Sequence, residues 1–313
     1  MDLAKAKSIM VIILVTFNIF LLSINLSYSR EQGIQPDTIR NAVSILNARG
    51  VKIECKIPEN PNRTSKLIYG AGKLDKRAIL KAFSEEIPSE QGDINVYEYN
   101  GKRLAFSGDT KFTYYDESPN EKINITKDDE AVKYARNYLK NKGLLKGKYI
   151  LDEVSANQDG SFTIRFVEKY YDFLIFDNYI TVTLTGKGLR EIEYNKVEVL
   201  GFSAVASKDI AAAYQVLLAH FRQSIEVSGN RGNETNGENE ASNTSVESAA
   251  SSAVNGEFGQ DGVVITQIDI GYKFAPDQSI NGIESMELLP VWRVKMKGIS
   301  EPLYLNTYDS SHF

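Results

Sequence analysis

The stretch Ile9–Leu26, IMVIILVTFNIFLLSINL, holds 18 residues and no charge. A helix rises about 1.5 Å per residue and the hydrocarbon core of a bilayer is about 30 Å thick, so a run of this length just spans it. No second run like it occurs in the 313 residues. The competing reading is a cleaved signal peptide, with Lys5 and Lys7 as its basic end and Ser27-Tyr28-Ser29 as a small-x-small cleavage site. The run is longer than the usual h-region of roughly 7–15 residues. It also carries Asn18 and Asn25, amides that must find partners in lipid. An uncleaved transmembrane helix over 9–26 is therefore expected. The two lysines place a tail of residues 1–8 in the cytoplasm and everything from about Ser27 outside, although Arg30 partly opposes this. The expected location is the cell membrane, single-pass, with the C-terminal domain extracytoplasmic.

The chain beyond the span is long enough for two domains or several small modules. Its charge is ordinary and slightly acidic, net −5 over the whole chain. No basic face or run appears, which excludes a nucleic-acid partner. The one cysteine, Cys55, cannot form an internal disulfide, so the outer part must be stable on core burial alone.

The pattern of apolar residues predicts an α+β chain: an N-terminal transmembrane helix, then repeated modules of an antiparallel sheet with a packed helix. A first module, 27–119, opens with a helix at Pro36. Its stripe is Ile39, Ala42, Val43 and Leu46, and Gly50 ends it. A strand over Val51–Ile57 comes next, then a strand near Lys66–Tyr69 and a short helix over Asp75–Phe83. A meander over Ile94–Tyr99, Lys102–Phe106 and Lys111–Tyr115 turns at Asn100-Gly101. A second module, 120–205, has Thr126 capping a helix with Asp129 at the reciprocal position. Strands are expected over Tyr149–Ala156, Ser161–Glu168, Tyr179–Thr185 and Leu189–Val199. A third module, 206–313, repeats the plan. Ser207 caps a helix with the stripe Ile210, Tyr214, Leu217, Leu218 and Phe221, and strands fall near Val263–Phe274, Met286–Lys297 and Leu303–Tyr308. It is interrupted by 228–261, rich in Asn, Ser, Gly and Glu, which cannot bury enough apolar surface to offset the entropy of ordering and is expected to be a disordered insertion. Four N-glycosylation patterns, at Asn62, Asn124, Asn233 and Asn243, are short and common and carry little weight.

A search for chemistry finds none. Cys55 falls on the apolar face of its strand, where a thiol is an inert small hydrophobe. His220 sits in a helix beside Phe221 without a carboxylate or Cys at ligand spacing, and His312 is one residue from the end. Gly70-Ala71-Gly72-Lys73 lacks the spacing of a phosphate loop. Asp128-Asp129-Glu130 lies in the first turn of a helix, where negative charge is favoured anyway. The expectation is no enzyme, no catalytic residue, no metal and no cofactor. The remaining constellation lies in the membrane. Asn18 and Asn25 are seven apart and share a face with Val11, Leu14 and Leu21, a heptad-like seam suited to a partner helix. Thr16 and Ser23 face roughly the other way and are expected to bond their own backbone.

Two stretches carry a family resemblance. The start, Met1-Asp2-Leu3-Ala4-Lys5-Ala6-Lys7-Ser8-Ile9 with Phe17-Asn18-Ile19-Phe20-Leu21-Leu22, resembles the opening of the YycI family. Near the end, Glu287-Leu288-Leu289-Pro290-Val291-Trp292-Arg293-Val294 is similar to the family's Pro-Val-Trp-basic-hydrophobic strand, shared with the related YycH proteins, so Pro290, Val291, Trp292 and Arg293 mark it. The resemblance implies an accessory regulator of an essential Gram-positive two-component system controlling cell-wall metabolism. Its implied partners are the sensor histidine kinase and a YycH-like protein, met largely through transmembrane helices. The alternative is an extracytoplasmic binding module for a peptide, wall fragment or protease.

Overall fold

The computed structural model describes residues 10–23, 36–58, 63–70, 72–84, 95–121, 123–204, 207–230, 262–274 and 285–308. No helix among these residues is long and apolar enough to cross a membrane. Of the expected span, residues 10–23 form helix α1; residue 9, residues 24–26 with Asn25, and the 1–8 tail lie outside the described residues, as do 231–261 of the expected insertion.

The chain is a mixed α+β protein dominated by one 13-stranded sheet, with five helices among the described residues. Helix α2 (Pro36–Ala48) stops before Gly50, whose φ of 80° suits a residue without a Cβ. Strand β1 (Val51–Ile53) comes next, then β2 (Arg63–Thr64), β3 (Leu67–Gly70) and helix α3 (Lys76–Phe83), whose first turn is capped by the Asp75 carboxylate accepting from the Ala78 N–H. Strands β4 (Val96–Tyr99), β5 (Lys102–Ser107) and β6 (Lys111–Asp116) form the expected meander, turning at Asn100-Gly101 with both residues at positive φ.

Helix α4 (Asp128–Asn141) starts one residue later than the sequence suggested. Lys127 is its N-cap and makes no side-chain cap bond; Glu130, rather than Asp129, reaches back and accepts from the Thr126 N–H at 3.1 Å. One buried face, Ala131, Ala135 and Leu139 at i, i+4 and i+8, lies on the sheet. Strands β7 (Tyr149–Ala156), β8 (Phe162–Tyr170), β9 (Phe173–Thr185) and β10 (Gly188–Asn195) meander antiparallel beneath it. The strand expected to run on to Val199 breaks instead after Asn195, and β11 (Glu198–Phe202) turns away to pair with β3.

The expected Ser207 helix cap is also corrected. Lys208 and Asp209 form strand β12, paired with β2, and helix α5 (Ala213–Asn230) begins six residues after Ser207. Ile210, predicted for the helix stripe, is buried before the helix starts; Ala213, Val216, Leu217 and Phe221 supply the buried face. Residues 228–230 of the expected insertion are the last of α5. Strands β13 (Val263–Lys273), β14 (Ser285–Met296) and β15 (Leu303–Asn306) complete the chain as an antiparallel meander.

The cores cut across sequence order. One core joins α3 and β4–β6 to α4 and β7–β10, with Phe83 stacked on Tyr114 and Phe112 stacked on Tyr194. A second joins α2 and β1 to α5 and β13–β15, around Trp292. The residues of 27–119 are thus divided between the two. A third, smaller core of Leu67, Tyr69, Ile175, Val197, Tyr272 and Leu288 lies where they meet.

The sheet is continuous because β9 and β13 run parallel, Leu174 and Ile175 pairing with Gly271 and Tyr272. The backbones approach so closely there that a Cβ on Gly271 would collide with the Leu174 carbonyl oxygen and come within 2.7 Å of the Phe176 ring. Replacing Gly271 with Ala should lower unfolding stability by about 1–3 kcal/mol through overpacking. Gly186→Ala, at a position with open space, should stay within about 0.5 kcal/mol of wild type. Urea denaturation of both variants checks this.

Candidate functional site

The joint between the two large cores is built on an irregularity in β9. Along the β8–β9 ladder, Tyr179 pairs with Val167 and Ile175 pairs with Glu168, so Phe176, Asp177 and Asn178 have no partners on β8. A three-residue bulge of this kind re-aims side chains that regular pleating would alternate. Asn178 is fully buried and acts as a substitute strand. Its Oδ1 accepts from the Val197 N–H at 2.7 Å, and its Nδ2 donates to the Val197 carbonyl at 3.0 Å and to Glu168 Oε2 at 2.6 Å. This is why the strand expected over Leu189–Val199 breaks: the backbone at Val197 is satisfied by a side chain instead of a neighbouring strand. Asp177 accepts from Lys273 Nζ at 3.2 Å and from the Phe274 N–H at 2.8 Å, tying β9 to the end of β13.

Phe176 lies beneath Arg293, its ring centroid 4.7 Å from the guanidinium. Arg293 is 2% exposed. It donates to both oxygens of Asp152 at 2.8 and 2.6 Å and to Asp269 Oδ2 at 2.6 and 3.3 Å, so three strands, β7, β13 and β14, meet on one planar fork. Lys295 and Arg165 stand 3.6 and 3.7 Å from Asp152. Burial opposes the Asp152 charge, but the Arg293 guanidinium, with Lys295 and Arg165 behind it, outweighs burial and holds the carboxyl below its ordinary value.

The residues singled out in the C-terminal motif therefore fall on β14, in the molecule's interior. Val291 and Trp292 are buried, the Trp292 indole N–H donates to the Ala211 carbonyl at 3.0 Å, and the Pro290 carbonyl accepts from the Thr307 hydroxyl at 3.0 Å. These four residues hold the fold's joint together and touch no open surface that a ligand would reach. Val11, Leu14, Asn18 and Leu21 lie on α1, well exposed. The Asn18 amide donates to the Leu14 carbonyl at 2.8 Å, as Thr16 and Ser23 donate to Ile12 and Ile19; among the described residues the second Asn18 amide hydrogen and the side-chain Oδ1 have no partner. Cys55 packs against the second core, and burial pushes its thiol up, disfavouring the reactive thiolate. Among the described residues no group of three or more His, Cys, Asp or Glu is placed to hold a metal ion.

The second feature at the joint is an open cleft of about 700 Å³, within the range of roughly 300–1,000 Å³ typical of ligand pockets. It is lined by the 72–75 loop and the first turns of α3, with Leu74, Ala78 and Ile79; by the turn from α4 to β7, with Lys142, Leu144 and Lys146; by Glu168 of β8; by Tyr194, Lys196 and Val197 at the end of β10; and by Glu198 and Val199 of β11. Lys196 bridges the Lys146 carbonyl at 2.7 Å and Glu168 Oε1 at 3.2 Å, so Lys196 and Glu168 form a neutralised pair braced by Asn178. The Lys142 ammonium donates to the Ala82 carbonyl at 2.6 Å beside the Phe83 and Tyr138 rings, and burial lowers its pKa. Burial pushes the Tyr194 phenol up to about 12.

Sequence reasoning missed both the bulge and the cleft. The available signal for the bulge was Asp177-Asn178, two polar residues inside the aromatic run Tyr170–Tyr179. The cleft has no local signal, since its residues come from four separate segments.

No family model matches the chain, and no curated protein matches it. Among solved structures, the chain is similar to an uncharacterized protein from Eubacterium rectale at 10% identity, covering 84% of this chain and 90% of that one, with a TM-score of 0.44. It is similar to YycH from Bacillus subtilis at 13% identity, covering 76% of this chain and 52% of that one, with a TM-score of 0.43. The C-terminal domain of YpeB from Bacillus megaterium matches at 12% identity over 90% of this chain and 96% of that one, with a TM-score of 0.31. Scores this low carry no inference about this chain.

Arg293→Met should cost about 3–5 kcal/mol at pH 7, because it removes the buried cation that both Asp152 and Asp269 bond. The folded-state value of Asp152 lies below 3.8, so its contribution is complete above about pH 4 and is lost as pH falls through the lower folded value. The deficit of the variant relative to wild type should therefore shrink between pH 7 and pH 3. Urea unfolding followed by the fluorescence of Trp292, the single tryptophan, reads both.

Proposed function

We propose that this chain is a membrane-anchored accessory regulator of a two-component sensor histidine kinase that controls cell-wall metabolism. In this reading the N-terminus is cytoplasmic, the α+β domain is extracytoplasmic, and the partners are the kinase and a YycH-like protein. The observation that carries the reading is helix α1. Eleven of its large apolar side chains are exposed, from 46% at Leu21 to 74% at Met10. A contiguous apolar surface of this kind is what lipid or another apolar helix covers. The uncharged run continues in sequence to Leu26, which supports a span. The spare amide groups of Asn18, with Asn25 one heptad on, support contact with a second helix. The resemblance of the N-terminal and Pro290–Arg293 stretches to the YycI family supports the class of partner.

The mechanism is a population shift. A helix that packs better against one conformation of the kinase span biases the kinase by its differential contact energy. A model-helix hydrogen bond in lipid contributes about 1–2 kcal/mol at most, enough to change a two-state ratio about five- to thirtyfold. A second reading, an extracytoplasmic binding module for a peptide, wall fragment or protease, is favoured by the open cleft.

Replacing both Asn18 and Asn25 with Leu should leave membrane insertion intact and weaken co-purification with the kinase severalfold. Exchanging Ile9–Leu26 for an unrelated span of equal length should abolish regulation of a kinase-dependent reporter. Regulation that survives the exchange, or that persists in a soluble chain starting at Arg30, rejects the helix mechanism and leaves the binding module.

A further inference from the structure

The cleft at the joint is asymmetric in the charge it has to offer. Its acidic groups are mostly engaged: Glu168 is paired with Lys196 and Asn178, and Asp75 caps α3. Two of its four lysines are engaged as well, Lys196 by Glu168 and Lys142 by the Ala82 carbonyl. Lys73 and Lys146 line the cleft with exposed side chains that have no ion-pair or hydrogen-bond partner among the described residues, against a single such acid, Glu198. An excess of ammonium groups without partners among the described residues, beside the apolar side chains of Leu74, Ile79 and Leu144 that also line the cleft, suits a ligand with one anionic end and an apolar body.

The strand that borders the cleft decides what that body is. Glu198 and Val199 belong to β11, which stands at one end of the sheet and pairs only with β3 among the described residues. Edge strands are ordinarily blunted by charge, proline or cover. Past Glu198, β11 bulges between Val199 and Gly201 but carries no further charge, proline or cover among the described residues: Leu200 is 55% and Phe202 39% exposed. Beside them Tyr171 is 70% exposed and is held at φ 51°, a left-handed conformation that a bulky residue rarely adopts, with its ring 5.8 Å from that of Phe202. Tyr170, which lines the cleft, meets the Tyr171 ring edge-on and packs tilted against the Phe202 ring. An unpaired edge, an apolar shelf along it and a cationic cleft at its head form one continuous surface. We propose that this surface binds an extended peptide by strand addition to β11, with a free C-terminal carboxylate between Lys73 and Lys146 and an apolar last side chain against Leu74, Ile79 and Leu144. The proposal goes beyond the regulator reading and does not depend on the membrane helix.

The test uses the full chain purified in detergent and a fluorescein-labelled hexapeptide of alternating threonine and valine ending in leucine, followed by fluorescence anisotropy. The free acid should bind, and the same peptide amidated at its C-terminus should bind about tenfold more weakly, as should the free acid to Lys73→Gln/Lys146→Gln. In that double variant the acid and amide should bind alike. Leu200→Asp, at an exposed position, should weaken acid and amide equally through the shelf. Both variants alter exposed side chains, and unchanged unfolding midpoints establish that they fold. The proposal is overturned if neither peptide binds, or if acid and amide bind the wild type equally. It is also overturned if 10 mM inorganic phosphate binds at the lysines while the peptide does not, which would make the cleft a small-anion site. Kinase regulation is not read in this experiment, so its failure leaves the regulator reading standing and the reverse also holds.

Discussion

Three unpaired residues in one strand, Phe176, Asp177 and Asn178, hold this molecule together. Each reaches a different neighbour: Phe176 lies under the Arg293 guanidinium, Asp177 ties down the end of β13, and Asn178 supplies the partner that Val197 lacks. A regular strand would have sent alternate residues to opposite faces. The bulge lets three consecutive residues serve three separate contacts, and β9 can then belong to both halves of the sheet, pairing with β10 along one stretch and with β13 along another.

The ionic cluster at Arg293 depends on that geometry. Taking a guanidinium and two carboxylates out of water costs several kcal/mol per ion, and their attraction repays little beyond the cost. The cluster therefore contributes less to net stability than to selecting one arrangement of β7, β13 and β14, since any other leaves a buried charge unpaired. The apolar cores on either side, around Trp292 and around Phe112, supply the burial that folding needs. The cleft is a by-product of the same joint. Because β10 ends at Asn195 and β11 turns off to β3, a gap opens beside Val197 that no side chain from either large core fills.

Local structure was largely legible in the order of residues. The Asn100-Gly101 turn, the stop at Gly50, the apolar stripe of α2 and most strands of the meanders come from turn chemistry and periodicity. The errors fall where tertiary contacts compete with local signals. Ser207 reads as a cap, yet the chain there pairs with β2 and the helix waits until Ala213. Leu189–Val199 reads as one strand, yet a buried amide from another strand satisfies its backbone and breaks it. Pro290–Arg293 was visible as a motif, but its place at a buried joint was not, because Asp152 and Asp269 lie 141 and 24 residues away in the chain.

Residue order alone establishes the uncharged run over Ile9–Leu26, the α+β character of the chain beyond it, the absence of an internal disulfide, and most of the face each helix buries. These depend on composition and on periods of two and 3.6 residues, which are properties of neighbouring positions. Long-range packing was needed to divide 27–119 between two cores and to place in β9 the bulge that joins them. It also brings four distant segments around a cleft whose Lys73 and Lys146 have no partner among the described residues, at the head of a strand edge likewise unpaired among them. Such features depend on which remote groups meet, and no local pattern encodes the meeting of Arg293 with Asp152 or of Asn178 with Val197.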